Sequence, residues 1–285
     1  VLPDQVTVFI PVTHYQRAFL EQAIASVFEQ TRSDWRLLIV VNPDQDQHFR
    51  EVLADSLRDS RVRLVPNHRP RLAGSYNTAM ATAETEFIAP LMGDDLLAPE
   101  TVESLGDAIR AHPATDFFHS GRYYVDAERN RISSDYLPTR PVTREEFIRY
   151  SPVKHLMCWR RRRGLEAGGV DETLENFASD DYDFPWLMLE AGATFTAIRK
   201  CLYVYRDHRE AVRLTTHVPR SLQIGTLRRI LKKHQVPPGV IRQRVRKARR
   251  GYLRQSLFLN PLHHWLRLRL GMAPRRGEGW HESYR

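Results

Sequence analysis

The sequence predicts an α/β protein: a Rossmann-like, mostly parallel sheet with helices on both faces, followed by a basic helical C-terminal extension. Three observations carry the prediction. Short apolar runs alternate with helical patterns through the first 120 residues, which is the signature of βαβ units. The 285 residues are 42% hydrophobic and 27% charged, enough apolar surface for a folded core and too much for a disordered chain. Basic residues then crowd into the last quarter, where the βα rhythm has stopped.

The elements follow in order. Val6–Pro11 reads as a buried strand, and Phe19, Ala23, Ile24, Val27 and Phe28 recur at helical spacing behind it. Arg36–Val41 is a second strand, 46–58 a helix, Val62–Val65 a third strand and Tyr76–Ala83 part of a helix. Phe87–Met92 is a fourth strand, 99–111 a helix with Pro99 in its first turn, and Asp116–Ser120 a fifth strand. Beyond Gly121 the pattern changes. Tyr123–Val125 and Arg131–Ser133 flank a hairpin turn, 143–150 is helical, and Leu156–Trp159 is a short strand. A helix over 181–191 stops at Gly192, and Phe195–Ile198 and Leu202–Tyr205 read as two further strands. From 219 onward the chain is helical, with breaks at Pro237-Pro238 and Pro261.

Ligands in such sheets bind beyond the carboxyl ends of the strands, so the residues just after each strand are the ones to read. Gly93-Asp94-Asp95 follows the fourth strand. Its acids suit Mg²⁺ or Mn²⁺, which take carboxylate and phosphate oxygens, or they shape the turn before Pro99. Ser179-Asp180-Asp181-Tyr182-Asp183 opens a helix. Acids there cap the helix, yet three within five residues exceed what capping needs, and one could serve as a general base. Tyr205-Arg206-Asp207-His208 leaves the last short strand, with Arg206 suited to a diphosphate and His208 to a metal or phosphate. At the exits of the first two strands, Tyr15 could stack on a base and Asn42 hydrogen-bond to it. No G-x-G-x-x-G follows the first strand, and neither G-x-x-x-x-G-K-[ST] nor G-x-S-x-G occurs. A dinucleotide dehydrogenase, a P-loop enzyme and a nucleophile-elbow hydrolase are thereby disfavoured.

Taken together, VTVFIPV, FLEQAIASVFEQT, WRLLIVVN, Asn67, Gly74-Ser75-Tyr76-Asn77, FIAPLMGDD, Pro99, Gly168-Gly169-Val170-Asp171-Glu172, SDDYDF, Gly192 and LYVYRDH stand in an order that resembles a family 2 glycosyltransferase with a GT-A fold, over about residues 6–210. The resemblance implies inverting, metal-assisted transfer from a nucleotide-diphospho-sugar to a hydroxyl-bearing, lipid-linked glycan acceptor. It implies Asp94 and Asp95 at the metal with His208, Asp181 as catalytic base with Asp180 beside it on the acceptor side, and Pro11, Thr13, Asn42 and Asn77 around the nucleotide. It divides the body into a donor half, 1–120, and an acceptor half, 121–218. Three features depart from the family pattern: Met92 replaces an acid, Val41-Asn42-Pro43 replaces two acids and a glycine, and the loop after Pro11 is one residue longer. A sugar nucleotidyltransferase and a non-catalytic nucleotide-sugar binder are the competing classes.

The net charge of +9 hides a divide. Residues 1–219 hold 26 Lys+Arg against 32 Asp+Glu, a charge of −6, whereas 220–285 hold 17 against 2, a charge of +15. The basic region, 219–285, carries Leu227, Ile230, Leu231, Tyr252, Trp265 and Leu266 among its arginines and lysines. That pattern suits an anionic membrane surface, and equally a helical appendage packed on the body or on a second subunit. No nucleic-acid module appears, so nucleic acid is not an expected partner. No run of about 18 apolar residues occurs, VLPDQVTVFIP lacks the basic start of a secretory leader, and two cysteines make no disulfide framework. These readings predict a cytoplasmic protein, and the membrane reading of the basic region would set it peripherally on the inner face of the cell membrane.

Overall fold

A computed structural model describes residues 6–12, 15–174, 178–207 and 219–258. The elements are β1 (Val6–Val12), α1 (Arg17–Phe28), β2 (Trp35–Val41), α2 (Asp46–Val52), β3 (Val62–Pro66), α3 (Arg71–Thr82), β4 (Phe87–Pro90), β5 (Leu96–Leu97) and α4 (Thr101–Ala111). They continue with β6 (Phe117–Val125), α5 (Arg144–Arg149), β7 (Met157–Arg160), α6 (Arg161–Glu166), α7 (Phe184–Glu190), β8 (Phe195–Arg206), α8 (Arg220–Lys233) and α9 (Pro238–Phe258). The strands form a single eight-stranded sheet in the order β3-β2-β1-β4-β7-β6-β8-β5. The pairs β1–β2, β1–β4, β2–β3 and β6–β8 are parallel, and the short β5 and β7 run antiparallel to their neighbours.

The apolar runs are continuous because both faces of the sheet are covered. On β1, Phe9 faces one core with Leu38, Tyr76 and Trp159, while Val8 and Ile10 face a second core with Leu20, Ile24 and Leu105. Trp159 of β7 centres the first core, with its ring 5.1 Å from Phe184 and 6.1 Å from both Phe9 and Tyr76.

Several expected boundaries are corrected. The strand ending at Ser120 continues as β6 through Val125, so the divide between donor and acceptor halves at 120 cuts a continuous strand. The shift in pairing register falls at Gly121, where a Cβ would meet the Tyr136 carbonyl oxygen at 2.6 Å. The two strands expected over 195–205 are the single β8, and the exposed Arg199 and Lys200 only interrupt its hydrophobic pattern. The helix expected over 46–58 ends at Val52, and the one expected from Tyr76 begins at Arg71. β5 was not anticipated, since two residues show no period. Thr13, His208, Trp265 and Leu266 lie outside the described residues.

The charge divide at 219 is not a packing divide. Leu227, Ile230, Leu231, Val236, Ile241 and Val245 of α8, α9 and their connection lie in the same buried cluster as Trp159, Phe184 and Trp186. His234 stacks on Trp186 with ring centroids 4.1 Å apart. Its two ring nitrogens face Glu190 at 2.8 Å and Asp183 at 3.0 Å, and Lys233 Nζ donates to Asp183 at 2.7 Å. Deleting a side chain from such a core removes transfer energy and leaves a cavity. Ile230→Ala and Leu231→Ala should therefore each lower the unfolding free energy by about 2–5 kcal/mol in urea titrations. A change below about 0.5 kcal/mol would show that α8 does not share the core.

Candidate active site

Each of the two acidic pairs places one acid inside and one at the edge of the protein. In Asp94-Asp95, in the turn between β4 and β5, Asp95 is buried. Its oxygens accept from the Tyr203 hydroxyl at 2.7 Å and the Arg206 backbone N–H at 2.8 Å. The Tyr203 hydroxyl in turn accepts from the Met92 N–H at 3.2 Å, closing the turn. Asp94 is half-buried, and its carbonyl accepts from Arg206 Nε at 2.8 Å. The second pair lies in a π-helical turn, Ser179–Asp183, that leads into α7. Asp180 is buried and its carboxylate accepts from the Tyr76 hydroxyl of α3 at 3.0 Å. Asp181 is half-buried, and Ser151 Oγ donates to its carbonyl at 2.6 Å.

One contiguous set of side chains joins the two pairs. Tyr203, bonded to Asp95, has its ring centroid 5.2 Å from that of His155, and His155 Nε2 lies 4.0 Å from Asp180 Oδ2. The sheet thereby brings residues 95 and 180 to one end of the molecule, where strands β4, β6 and β8 finish. Burial governs the titration there. It pushes the Asp180 carboxyl up to about 7, aided by the neighbouring charge of Asp181. Asp181 is also raised by burial, with Lys154 and Arg122 opposing the rise. Burial, then Arg122 and Lys154, press His155 down to about 3, so it is neutral at pH 7.

Two residues expected at the donor are engaged by the protein in this structure. Arg206 is fully buried, and protein oxygens rather than open space face its guanidinium. Its guanidinium donates to the carbonyls of Asp94 and Ala127 and to Gln22 Oε1, over the ring of Phe19. Asn77 does not present its amide to a nucleotide either. Nδ2 donates to the Val170 carbonyl at 2.9 Å and to Glu172 at 2.7 Å, and Oδ1 accepts from the Val170 N–H at 2.8 Å. Among the other expected residues, Pro11 is buried in β1 opposite Val40. Asn42 is half-buried just beyond β2. Tyr15 packs on Phe49 and its hydroxyl meets His48 Nε2 at 2.5 Å. Tyr76 and Tyr203 stand within the quoted motifs without a role read for them, and Arg122, Lys154 and His155 escape sequence reading because each stands outside the acidic motifs in a stretch that reads as strand or loop.

The carboxylates after β4 differ in their fitness for Mg²⁺ or Mn²⁺. Asp94 fits an ion that takes one or two carboxylates and completes its shell with phosphate oxygens and water. Asp95 has both oxygens engaged by protein donors and serves better as the brace of that turn. No group of three or more His, Cys, Asp or Glu able to hold an ion occurs among the described residues.

The comparisons agree with this architecture. The chain is 24% identical over 204 residues to the O-antigen biosynthesis protein RfbC of Myxococcus xanthus, a match over 71% of this chain and 16% of that protein. It thus spans about a sixth of that relative's length. It is 31% identical over 291 residues to the succinoglycan biosynthesis protein ExoW of Rhizobium meliloti, over 82% of this chain and 90% of that one. Among solved structures, the mannosyltransferase PcManGT from Pyrobaculum calidifontis, in complex with GDP-Man and Mn²⁺, superposes with a TM-score of 0.56 at 17% identity. That match covers 85% of this chain and 68% of the other, and it supports the GT-A fold. The sequence profile described as Glycosyl transferase family 2 matches residues 7–168, more than half of the chain, and the chain belongs to that family.

Proposed function

We propose that this chain transfers a sugar from a nucleotide-diphospho-sugar to a hydroxyl of a glycan acceptor, with inversion, in the assembly of a polysaccharide or glycolipid. The observation that carries the reading is the set of contacts from Asp95 through Tyr203 and His155 to Asp180, which joins the two acidic pairs. Relatives named for O-antigen and succinoglycan biosynthesis point to the same class of product.

The chemistry needs two things from the chain. The acceptor hydroxyl is a weak nucleophile, and Asp181, the half-buried acid of its pair, takes its proton. As that proton leaves, the acceptor oxygen bonds to the anomeric carbon, and the bond from that carbon to the diphosphate oxygen breaks. The nucleoside diphosphate departs with the electron pair, and a single displacement inverts the centre. Asp94 would hold Mg²⁺ or Mn²⁺, with His208 as the further ligand that the family resemblance implies. Such an ion supplies charge neutralisation to the diphosphate. Arg206 and Asp95 hold the Asp94 turn, and Asp180 anchors the base turn on Tyr76. The exposed arginines and lysines of α8 and α9, among them Arg228, Lys232, Arg242, Arg246 and Arg249, dock the enzyme on an anionic, cytoplasmic bilayer face.

Asp181→Asn keeps the shape and removes the base. Transfer should fall about 10³-fold while donor affinity, read by calorimetry, stays within about threefold. Near-normal turnover would remove Asp181 from the role. Asp180 gives a stability prediction of opposite chemistry. Its folded-state value of about 7 lies above the ordinary 3.8. Between the two, the folded chain holds a proton that the unfolded chain has released, so stability falls as pH rises through this window. Below the window both states are protonated and the effect vanishes. Asp180→Asn cannot ionise, so its Tm should gain on the wild type from about pH 4 to 7 and then level off. Parallel Tm curves would contradict the burial argument. Vesicles with anionic lipid should bind the chain in flotation assays more than neutral ones do. Arg242, Arg246 and Arg249 changed together to Glu should abolish the difference, and equal binding to both vesicle types would refute the docking.

A further inference from the structure

Cations buried elsewhere in the fold have protein partners. Arg206 is met by three oxygen acceptors, and Lys233 is held by Asp171 and Asp183. Arg122 and Lys154 are different. Arg122 lies on β6, one residue past the Gly121 register shift, and is 4% exposed. Its guanidinium carbon is 5.3 Å from the ring centroid of Tyr124 and 5.2 Å from that of Tyr205, and its Nε has no hydrogen-bond partner. Lys154, half-buried, lies between α5 and β7. Neither side chain makes an ion pair or hydrogen bond among the described residues.

The two cations also act on each other. Burial first, and then Arg122, bring the Lys154 amine down to about 8. Two like charges in a desolvated site oppose folding unless an anion joins them. The Leu156 N–H donates to Ser120 Oγ at 3.3 Å and Ser151 Oγ to the Asp181 carbonyl at 2.6 Å. Arg122 pairs across the sheet with Tyr203, whose ring lies 5.2 Å from that of His155. The segment carrying Lys154 therefore lies between β6 and the turn of Asp181, the carboxylate on which both cations act. By contrast, Arg206 and Arg129 are the cations whose charge acts alongside Asp94 and Asp95. The field of Arg122 and Lys154 therefore falls on the turn of Asp181 and not on that of Asp94 and Asp95. Aromatic rings fix the Arg122 side chain in place, and its planar fork suits two oxygens of one carboxylate or phosphate.

We propose that Arg122 and Lys154 form an anion subsite on the acceptor side of Asp181, and that the acceptor carries a carboxylate or phosphate group next to the sugar bearing the reacting hydroxyl. The inference rests on the reading of Asp181 as the base. It narrows the acceptor from any hydroxyl-bearing glycan to an anionic one, and it gives the two cations a partner that they do not have among the described residues.

The test uses three matched acceptors: a neutral methyl hexoside, the corresponding methyl hexuronide and the hexose 1-phosphate. The full chain is assayed with whichever nucleotide-sugar it hydrolyses. One charged acceptor should exceed the neutral one in kcat/KM by about 10- to 100-fold, the span that one or two charge-assisted hydrogen bonds give. Which of the two it is distinguishes a glycan carboxylate from a phosphate source. Arg122→Gln and Lys154→Gln should each bring that ratio towards one, mainly through KM. No preference in the wild type, or a preference that survives both substitutions, overturns the proposal. So does an intact ratio with a displaced acidic limb of the kcat–pH profile, which would show that the cations serve Asp181 alone. A readout without turnover is trinitrobenzenesulfonate labelling of Lys154 at pH 8, followed by peptide mass. The preferred charged probe should slow labelling several-fold and the neutral hexoside should not, and equal rates overturn the subsite. Protection without hydrolysis of any nucleotide-sugar would leave the anion site standing and count against the transferase reading.

Discussion

A carboxylate taken out of water must be met by donors, and both acidic pairs of this protein are organised around that constraint. Each pair gives up one acid to a buried tyrosine. Asp95 binds the Tyr203 hydroxyl and Asp180 binds that of Tyr76. The sacrificed acid pins its turn to the core, and its neighbour, Asp94 or Asp181, is left at the edge with a fixed backbone. Adjacent acids in a chain point to different sides of a turn, so a doubled acid is a compact way to build one anchor and one reactive group. Both tyrosines lie in secondary structure that the sheet itself orients, Tyr203 on β8 and Tyr76 on α3. The precision of the site therefore comes from the core and not from the loops.

Arg206 shows the same logic with the sign reversed. A fully buried guanidinium is costly, yet three oxygens and the Phe19 face receive it. Two of its contacts, through Nε and through its own N–H, end on Asp94 and Asp95. It supports the donor turn from beneath, so its effect on donor binding would be exerted through Asp94 rather than by touching phosphate. Asn77 is likewise a clamp between α3 and the loop after Gly169, where a Cβ would approach its Oδ1 to 2.5 Å.

The fold was largely legible because the core strands are apolar on both faces, and β1, β2 and β4 announce themselves as unbroken runs. The site was legible only where its residues cluster. Doubled acids stand out in a sequence, but only the family resemblance singles out Asp94 and Asp181 within them. Arg206 stood out as well, but burial is a property of packing, and it turned an expected phosphate ligand into a strut. Arg122 and Lys154 are lone cations 32 positions apart. Nothing local marks them, and only the parallel pairing of β6 with β8 and the return through β7 bring their fields onto Asp181.

The C-terminal helices illustrate why charge and packing divide a chain at different places. Net charge changes sign near 219 because the outer faces of α8 and α9 are basic. Their inner faces supply Leu227, Ile230, Leu231 and Val245 to the core that also holds Trp186 of α7. Among the polar contacts between the two regions are those of Lys233 and His234 with Asp183, two residues after Asp181 in the same turn. A cation from the basic region thus pairs with the third acid of the cluster, Asp183, whose buried charge would otherwise oppose that of Asp181. Docking of α8 and the geometry of the base turn are consequently linked. Any force that moved the basic helices relative to the body would act first on Asp183, and through one helical turn on Asp181.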